Sequence, residues 1–188
     1  MHHRYTYDAD NRITQVETST DNVIWDKDAK YFYYAHGPLA RTELGNDEVQ
    51  GIDYAYTLQG WIKGVNSNTL DSTRDIGRDG DTLGTNPNEL FAKDVYGYTL
   101  NYFDGDYKPI DAANKWTTVA DRFEADKTSS DLLAARNDFY NGNISAMVTT
   151  ITDTDGVALP QGMAYSYDQL NRLLDAKAYT NINSSTTS

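Results

Sequence analysis

The sequence predicts a mainly β chain of successive antiparallel hairpins, and three observations carry that expectation. A tyrosine-centred motif recurs along the chain, its aromatic residues alternate with polar ones at the period of a strand, and the segments between are rich in turn formers. Composition agrees: the 188 residues include 15 tyrosines against 5 phenylalanines and 3 tryptophans, with a mean hydropathy of −0.68. A tyrosine ring buries a broad apolar face while its hydroxyl keeps a polar partner. Such side chains suit thin, half-buried walls better than one thick aliphatic core.

The first element is Tyr5-Thr6-Tyr7-Asp8-Ala9-Asp10-Asn11-Arg12-Ile13, and its counterpart near the other end is Tyr165-Ser166-Tyr167-Asp168-Gln169-Leu170-Asn171-Arg172-Leu173. Both read Tyr-x-Tyr-Asp-x-x-Asn-Arg-aliphatic. Tyr5 and Tyr7, like Tyr165 and Tyr167, are expected on the inward face of an outgoing strand, at seams between stacked hairpins. Asp8 to Asn11, and Asp168 to Asn171, supply turn chemistry, because Asp and Asn side chains bond nearby backbone and tolerate left-handed conformations. Arg12 and Arg172 are expected to pair with Asp8 and Asp168. Ile13 and Val16 open the return strand. Met1-His2-His3 reads as an appended start.

Degenerate copies follow in order. Phe32-Tyr33-Tyr34-Ala35-His36-Gly37 keeps the aromatic pair and the turn, with Tyr34 as the marker equivalent to Tyr7. Ile52, Tyr54, Tyr56 and Leu58 make the cleanest alternating face, and Gly60 turns the chain into Trp61, Ile62 and Val65. Tyr98-Thr99-Leu100-Asn101-Tyr102 and Phe139-Tyr140-Asn141-Gly142-Asn143-Ile144 are weaker echoes, followed by the strand pattern Ile144, Ala146, Val148. A unit of roughly 20 to 27 residues with two insertions accounts for the spacing. The repeat sheet is expected over residues 1–179, with insertions near 66–96 and 108–136 and a polar tail at 180–188. Two short helical segments are expected in loops outside the wall: one started by Asn86 and Pro87, and one over Ser130 to Arg136 capped by a Ser or Thr just upstream. A lone hairpin is marginal in water, so neighbours must pair edge to edge.

A net charge of −12 and a sequence pI near 4.5 argue against nucleic acid and against electrostatic docking on anionic lipid. The absence of cysteine removes disulfides and thiolate metal sites. No apolar run reaches the roughly 18 residues of a membrane helix, and the N-terminus lacks a signal-peptide pattern. A longer parent protein is expected, with any export signal upstream.

Candidate chemistry is sparse. His2 and His3 belong to the start, and His36 sits in a turn with no nucleophile or orienting acid marked out nearby. Asp8 and Asp168 read as turn residues rather than a hydrolytic acid pair. Asp153-Thr154-Asp155-Gly156 and the run Asp75, Asp79, Gly80, Asp81 offer hard oxygen ligands for calcium, but neither completes a twelve-residue EF-hand loop, and surface turns are the expectation. Trp25, Trp61 and Trp116 are candidate stacking platforms for sugars and equally candidate packing between hairpins. Asn143 and Asn183 head glycosylation triplets. No cofactor or catalytic residue is assigned.

The two Tyr-x-Tyr-Asp-x-x-Asn-Arg motifs resemble the YD repeats of RHS-repeat proteins. His36-Gly37-Pro38-Leu39-Ala40-Arg41, Gln50-Gly51-Ile52-Asp53-Tyr54, Gln59-Gly60-Trp61-Ile62-Lys63-Gly64 and Gly105-Asp106-Tyr107 are similar to large RHS-repeat proteins of Bacteroidetes-type bacteria. The resemblance spans nearly the whole chain. It implies a sheet that spirals into a hollow β-cocoon, enclosing a C-terminal toxin or forming part of a teneurin-like surface protein. Self-cleaving members carry an Asp-Pro-x-Gly core motif, and this chain has no Asp-Pro pair. The expected role is a non-enzymatic arc of such a shell in a secreted or cell-surface bacterial protein. Expected partners are the rest of the parent chain, an enclosed polypeptide, or further copies through strand edges. A carbohydrate-binding or adhesion module is the alternative. Membrane insertion is not expected.

Overall fold

The computed structural model describes residues 1–71, 75–81, 87–107, 130–180 and 182. Among these the chain forms a ten-stranded antiparallel open sheet: β1 (His2–Tyr7), β2 (Ile13–Ser19), β3 (Asp26–Tyr33), β4 (Leu39–Leu44), β5 (Gln50–Tyr56), β6 (Ile62–Val65), β7 (Tyr96–Asn101), β8 (Ala146–Thr152), β9 (Ala158–Tyr167) and β10 (Leu173–Tyr179). Spatial order equals sequence order, so every strand pairs with its chain neighbours. One short helix, α1 (Ser130–Ala135), lies between β7 and β8. The mainly β expectation holds. His2 and His3 are part of β1, paired with Ser19 and Thr18, rather than a mere appended start.

Five of the hairpins share one turn. Asp8 N–H donates to Arg12 O at 3.0 Å, Tyr34 to Pro38 at 2.9 Å, Thr57 to Trp61 at 2.8 Å, Asp153 to Val157 at 3.0 Å and Asp168 to Arg172 at 3.0 Å. In each, the fourth turn residue is left-handed: Asn11 (φ 63°), Gly37 (116°), Gly60 (83°), Gly156 (80°) and Asn171 (61°). This is a turn closed by a bulge at an αL residue, a position that glycine and asparagine occupy at least cost. The register shifts at Thr6/Tyr7, Phe32/Tyr33 and Ala55/Tyr56 belong to the same geometry. It also corrects one equivalence. Tyr33 pairs with Leu39 as Tyr7 pairs with Ile13, so Tyr33, not Tyr34, is the counterpart of Tyr7. Tyr34 takes the place of Asp8, and its hydroxyl donates to Tyr54 O at 2.7 Å.

Besides Tyr34, three tyrosine hydroxyls tie neighbouring parts of the sheet together at the rim where the Asp8, Tyr34, Thr57 and Asp168 turns lie. Tyr33 donates to Ile13 O at 2.8 Å, Tyr102 to Ile62 O at 2.9 Å and Tyr167 to Ile144 O at 3.0 Å. Tyr5 and Tyr7 depart from the inward-seam expectation: they are 50% and 51% exposed, because β1 is an edge strand with no hairpin beyond it to cover them. Phe139 to Ile144 is not a hairpin strand. Phe139 meets Tyr167 edge-on at 5.1 Å, and exposed Tyr140 stacks on Phe103 at 4.6 Å.

The buried face is the other correction. Along β5 the covered positions are Gly51, Asp53 and Ala55, whereas Ile52, Tyr54 and Tyr56 are half-buried and Leu58 is 82% exposed. Along β7 the covered residues are Gly97, Thr99 and Asn101, and along β8 Ala146, Val148 and Thr150. Register places these on one face and Tyr54 and Tyr98 with Val65 on the other. The reason is tertiary: segments following β6 and β7 fold over the small and polar face, and the tyrosine face is left partly open.

Helix α1 forms as expected, but it is not outside the wall. Leu132 is fully buried against the sheet with Ala146, Val148 and Ala164. Its expected cap upstream lies outside the described residues. Ile182, read as part of a polar tail, is buried in the same cluster beside Gly162. Pro87–Leu90 is a turn rather than a helix, with Phe91 N–H donating to Asn88 O at 3.2 Å; Asn86 lies outside the described residues.

Gly97 shows how closely the covering segment approaches. A Cβ there would stand 2.2 Å from Ser67 O, a backbone atom that cannot rotate away. Gly97→Ala is expected to destabilise the chain by about 1–3 kcal/mol through overpacking. Urea unfolding measures it, and a stability equal to the parent would show that the 66–71 segment yields freely.

Candidate functional site: buried charge behind the sheet

The repeat motifs themselves form two separate, self-contained turns. Asp8 Oδ1 accepts the N–H groups of Asp10 and Arg12, each at 2.9 Å, while Oδ2 takes the Arg12 guanidinium at 2.7 Å. Asp168 repeats this with Leu170, Arg172 and the Arg172 guanidinium at 2.8, 2.9 and 2.6 Å. The Arg12 guanidinium also lies 4.4 Å from the Tyr33 ring and reaches Gly37 O, joining the first turn to the second. One motif lies in the β1–β2 hairpin and the other in β9–β10, at opposite ends of the sheet, so they share no site.

In both turns the arginine backbone N–H, then the guanidinium, holds the carboxylate below its usual pKa. A lowered folded-state value means the contribution is complete above the unfolded carboxylate range, about pH 4, and is lost as pH falls through the folded value. Asp168→Ala is therefore expected to lower the melting temperature modestly at pH 7 and to make less difference in strong acid. An unchanged melting temperature at pH 7 would count against the turn role.

The chemistry that sequence reading missed lies on the covered face. Arg41 of β4 stands across from Asp53 of β5 in register. Its Nη1 donates to Asp53 Oδ2 at 2.5 Å and its Nη2 to Asp79 Oδ1 at 2.7 Å, and its guanidinium lies 4.6 Å from the Phe91 ring. Asp75 and Asp94 complete the group, and all four acids are buried. Gly51 and Gly77 make room for it: a Cβ at either would fall within 2.2 Å of Arg41 and its partner carboxylates. Asp94 is positioned by Asn66, whose amide donates to Asp94 Oδ1 at 2.8 Å while its own Oδ1 accepts Asp53 N–H at 2.8 Å.

One guanidinium faces the four buried aspartates and, at 3.4 Å, Glu43, and the electrostatics show the strain. Burial works against the charge on Arg41, but the Asp53 and Asp79 carboxylates outweigh it and hold the guanidinium charged. Burial pushes Asp53 up to about 7 despite Arg41, with Asp75 and Asp79 adding to the effect. Asp79 is raised by burial as well, despite its bond to Arg41. Asp94 is pushed up to about 9 by burial, then by the charge of Asp75, which lies close enough to share a proton.

The second cluster is balanced. Lys63 Nζ donates to Asn101 Oδ1 at 2.7 Å and to Asp106 Oδ1 at 2.8 Å, and Asp106 Oδ2 accepts Tyr102 N–H at 2.9 Å. The register shift opposite Ala55 and Tyr56 falls at Lys63, whose ammonium reaches Asn101. Burial and the Asp106 charge push Tyr102 up to about 12.

The run Asp75, Asp79 and Asp81, expected as a surface turn, is thus buried, while Asp153-Thr154-Asp155-Gly156 is the exposed β8–β9 turn. His36 stacks on Tyr34 at 5.3 Å. Trp25 is overlaid by Arg4 at 4.3 Å, and Trp61 packs on Tyr102 at 4.9 Å; Trp116 and Asn183 lie outside the described residues. The local signal for the acid cluster was the strand Gly51-x-Asp53-x-Ala55, a small and polar face opposite aromatic residues. Comparison with models of known protein families and with curated proteins finds no match for this chain.

Proposed function

We propose that this chain is a non-enzymatic structural segment of a large RHS-repeat protein, one arc of a spiralling β-shell that encloses or presents a C-terminal polypeptide such as a toxin, in a secreted or cell-surface bacterial protein. The observation that supports the reading is the recurrence of one turn with one αL residue along the sheet, tied between neighbours by tyrosine hydroxyls. The sheet is also open: β1 and β10 each pair on one side only, so further hairpins can extend it in either direction. In the full-length gene product, the polypeptide that follows the repeats is expected to resist a protease that digests it when it is expressed alone. Equal digestion rates would overturn the shell reading.

A second reading, a carbohydrate-binding or adhesion module, is favoured by the partly open tyrosine face, where Tyr5, Tyr7 and Tyr96 are exposed. Aromatic rings in that arrangement offer stacking surfaces to sugars. A glycan array without a hit would remove it.

A further inference from the structure

The acid group behind β4 and β5 differs in kind from the Lys63–Asp106 pair. Among the described residues its one cationic partner is Arg41, which engages Asp53 and Asp79 and leaves Asp75 and Asp94 without a positive charge. Among the described residues, buried Asp75 Oδ1 accepts no hydrogen bond, while Asp75 Oδ2 takes a long contact from Asp79 N–H at 3.4 Å. Asp53, Asp75 and Asp79 each offer an oxygen, and these oxygens lie within 4.8 Å of one another. That span fits ligands around one ion at calcium–oxygen distances of about 2.3–2.6 Å.

A separate residue points the same way. Asp94 comes from the segment preceding β7, and its Oδ1 is fixed by Asn66. Its Oδ2 is shielded from water and, among the described residues, accepts no hydrogen bond, and its carboxyl lies beside that of Asp75. A buried carboxylate oxygen left without a donor is costly, and two adjacent ones are relieved only by a proton or a cation between them. Surface turns rich in aspartate lack this property: in the Asp153 turn, Oδ1 accepts the N–H groups of Asp155 and Val157.

We propose that Asp53, Asp75, Asp79 and Asp94 bind a hard divalent cation, calcium by ligand type, which fastens the segment following β6 onto the covered face of the sheet. Arg41 remains as the fixed positive charge on the strand side. The ion's role is structural, because all four acids are buried. The inference does not depend on the shell reading, since it concerns only how this chain's insertion is held.

The test uses chelator-stripped protein titrated with calcium chloride, followed by thermal melting and by calorimetry. Calcium at about a hundredfold excess over its dissociation constant is expected to raise the melting temperature by roughly 5 to 10 °C, reversibly on adding chelator. Asp75→Asn, nearly isosteric, is expected to fold and to lose the calcium shift, while Asp153→Asn in the exposed turn keeps it. No heat and no shift in the parent chain would overturn the proposal. So would a shift retained in Asp75→Asn or abolished by Asp153→Asn. If Asp75→Asn does not fold, Asp94→Asn carries the same expectation and the same power to overturn it.

Discussion

Arg41→Ala is expected to cost about 3–5 kcal/mol, because it strips the guanidinium from two buried carboxylates at once. Against a total stability of about 5–15 kcal/mol, that loss leaves the chain close to unfolding. Arg41→Lys is expected to recover little. A guanidinium reaches Asp53 and Asp79 through two separate nitrogens in a fixed fork, whereas an ammonium is a single point charge on a flexible stem. The deficit is expected to shrink as pH falls toward neutrality. Burial raises the Asp53 folded-state pKa to about 7 even with Arg41 lowering it, so without Arg41 the carboxyl keeps its proton to higher pH, and the charge left unpaired by the mutation is neutralised there. Urea unfolding of parent and variant between about pH 7 and pH 9 measures this, and a pH-independent deficit would assign the loss to packing on Phe91 instead.

Lys63→Ala is the second large effect, again about 3–5 kcal/mol, because Asp106 and Asn101 stay buried when their donor is removed. Replacing both charged partners should restore much of the loss. Lys63→Met with Asp106→Asn leaves an amide oxygen to accept Tyr102 N–H and removes the charge that pushes the Tyr102 phenol up. A double-mutant cycle by denaturant unfolding gives the coupling, and additive losses would show that the two side chains do not act as a pair. The melting curves of the two clusters should also differ in their response to cations. The Lys63 cluster carries its own positive charge and has no need of an added one.

How much was legible in the sequence depended on range. The turns were readable because their determinants lie within five residues: Asp8 with Arg12, Asp168 with Arg172, and an asparagine or glycine at the αL position. Helix α1 was readable from its short apolar run. The marker at Tyr34 was misplaced by one residue, because a pair of adjacent aromatic residues fits the motif in two registers. Only the pairing of Tyr33 with Leu39 distinguishes them. The acid cluster was legible only in fragments, for another reason. Arg41, Asp53, Asp79 and Asp94 come from separate strands and loops, and no local pattern brings them together.

By itself, then, the sequence determined a chain of antiparallel hairpins with a repeated turn, since strand period and turn chemistry are local properties of the backbone and its nearest side chains. Which face of the sheet became the interior was decided only in three dimensions. Strands β5 and β7 each offer one aromatic face and one small or polar face, and hydrophobicity alone favours burying the aromatic one. The segments after β6 and β7 instead lie against glycine, threonine and aspartate, where close backbone approach and ion pairing are possible. A one-residue alternation carries no information about which side a distant insertion will cover.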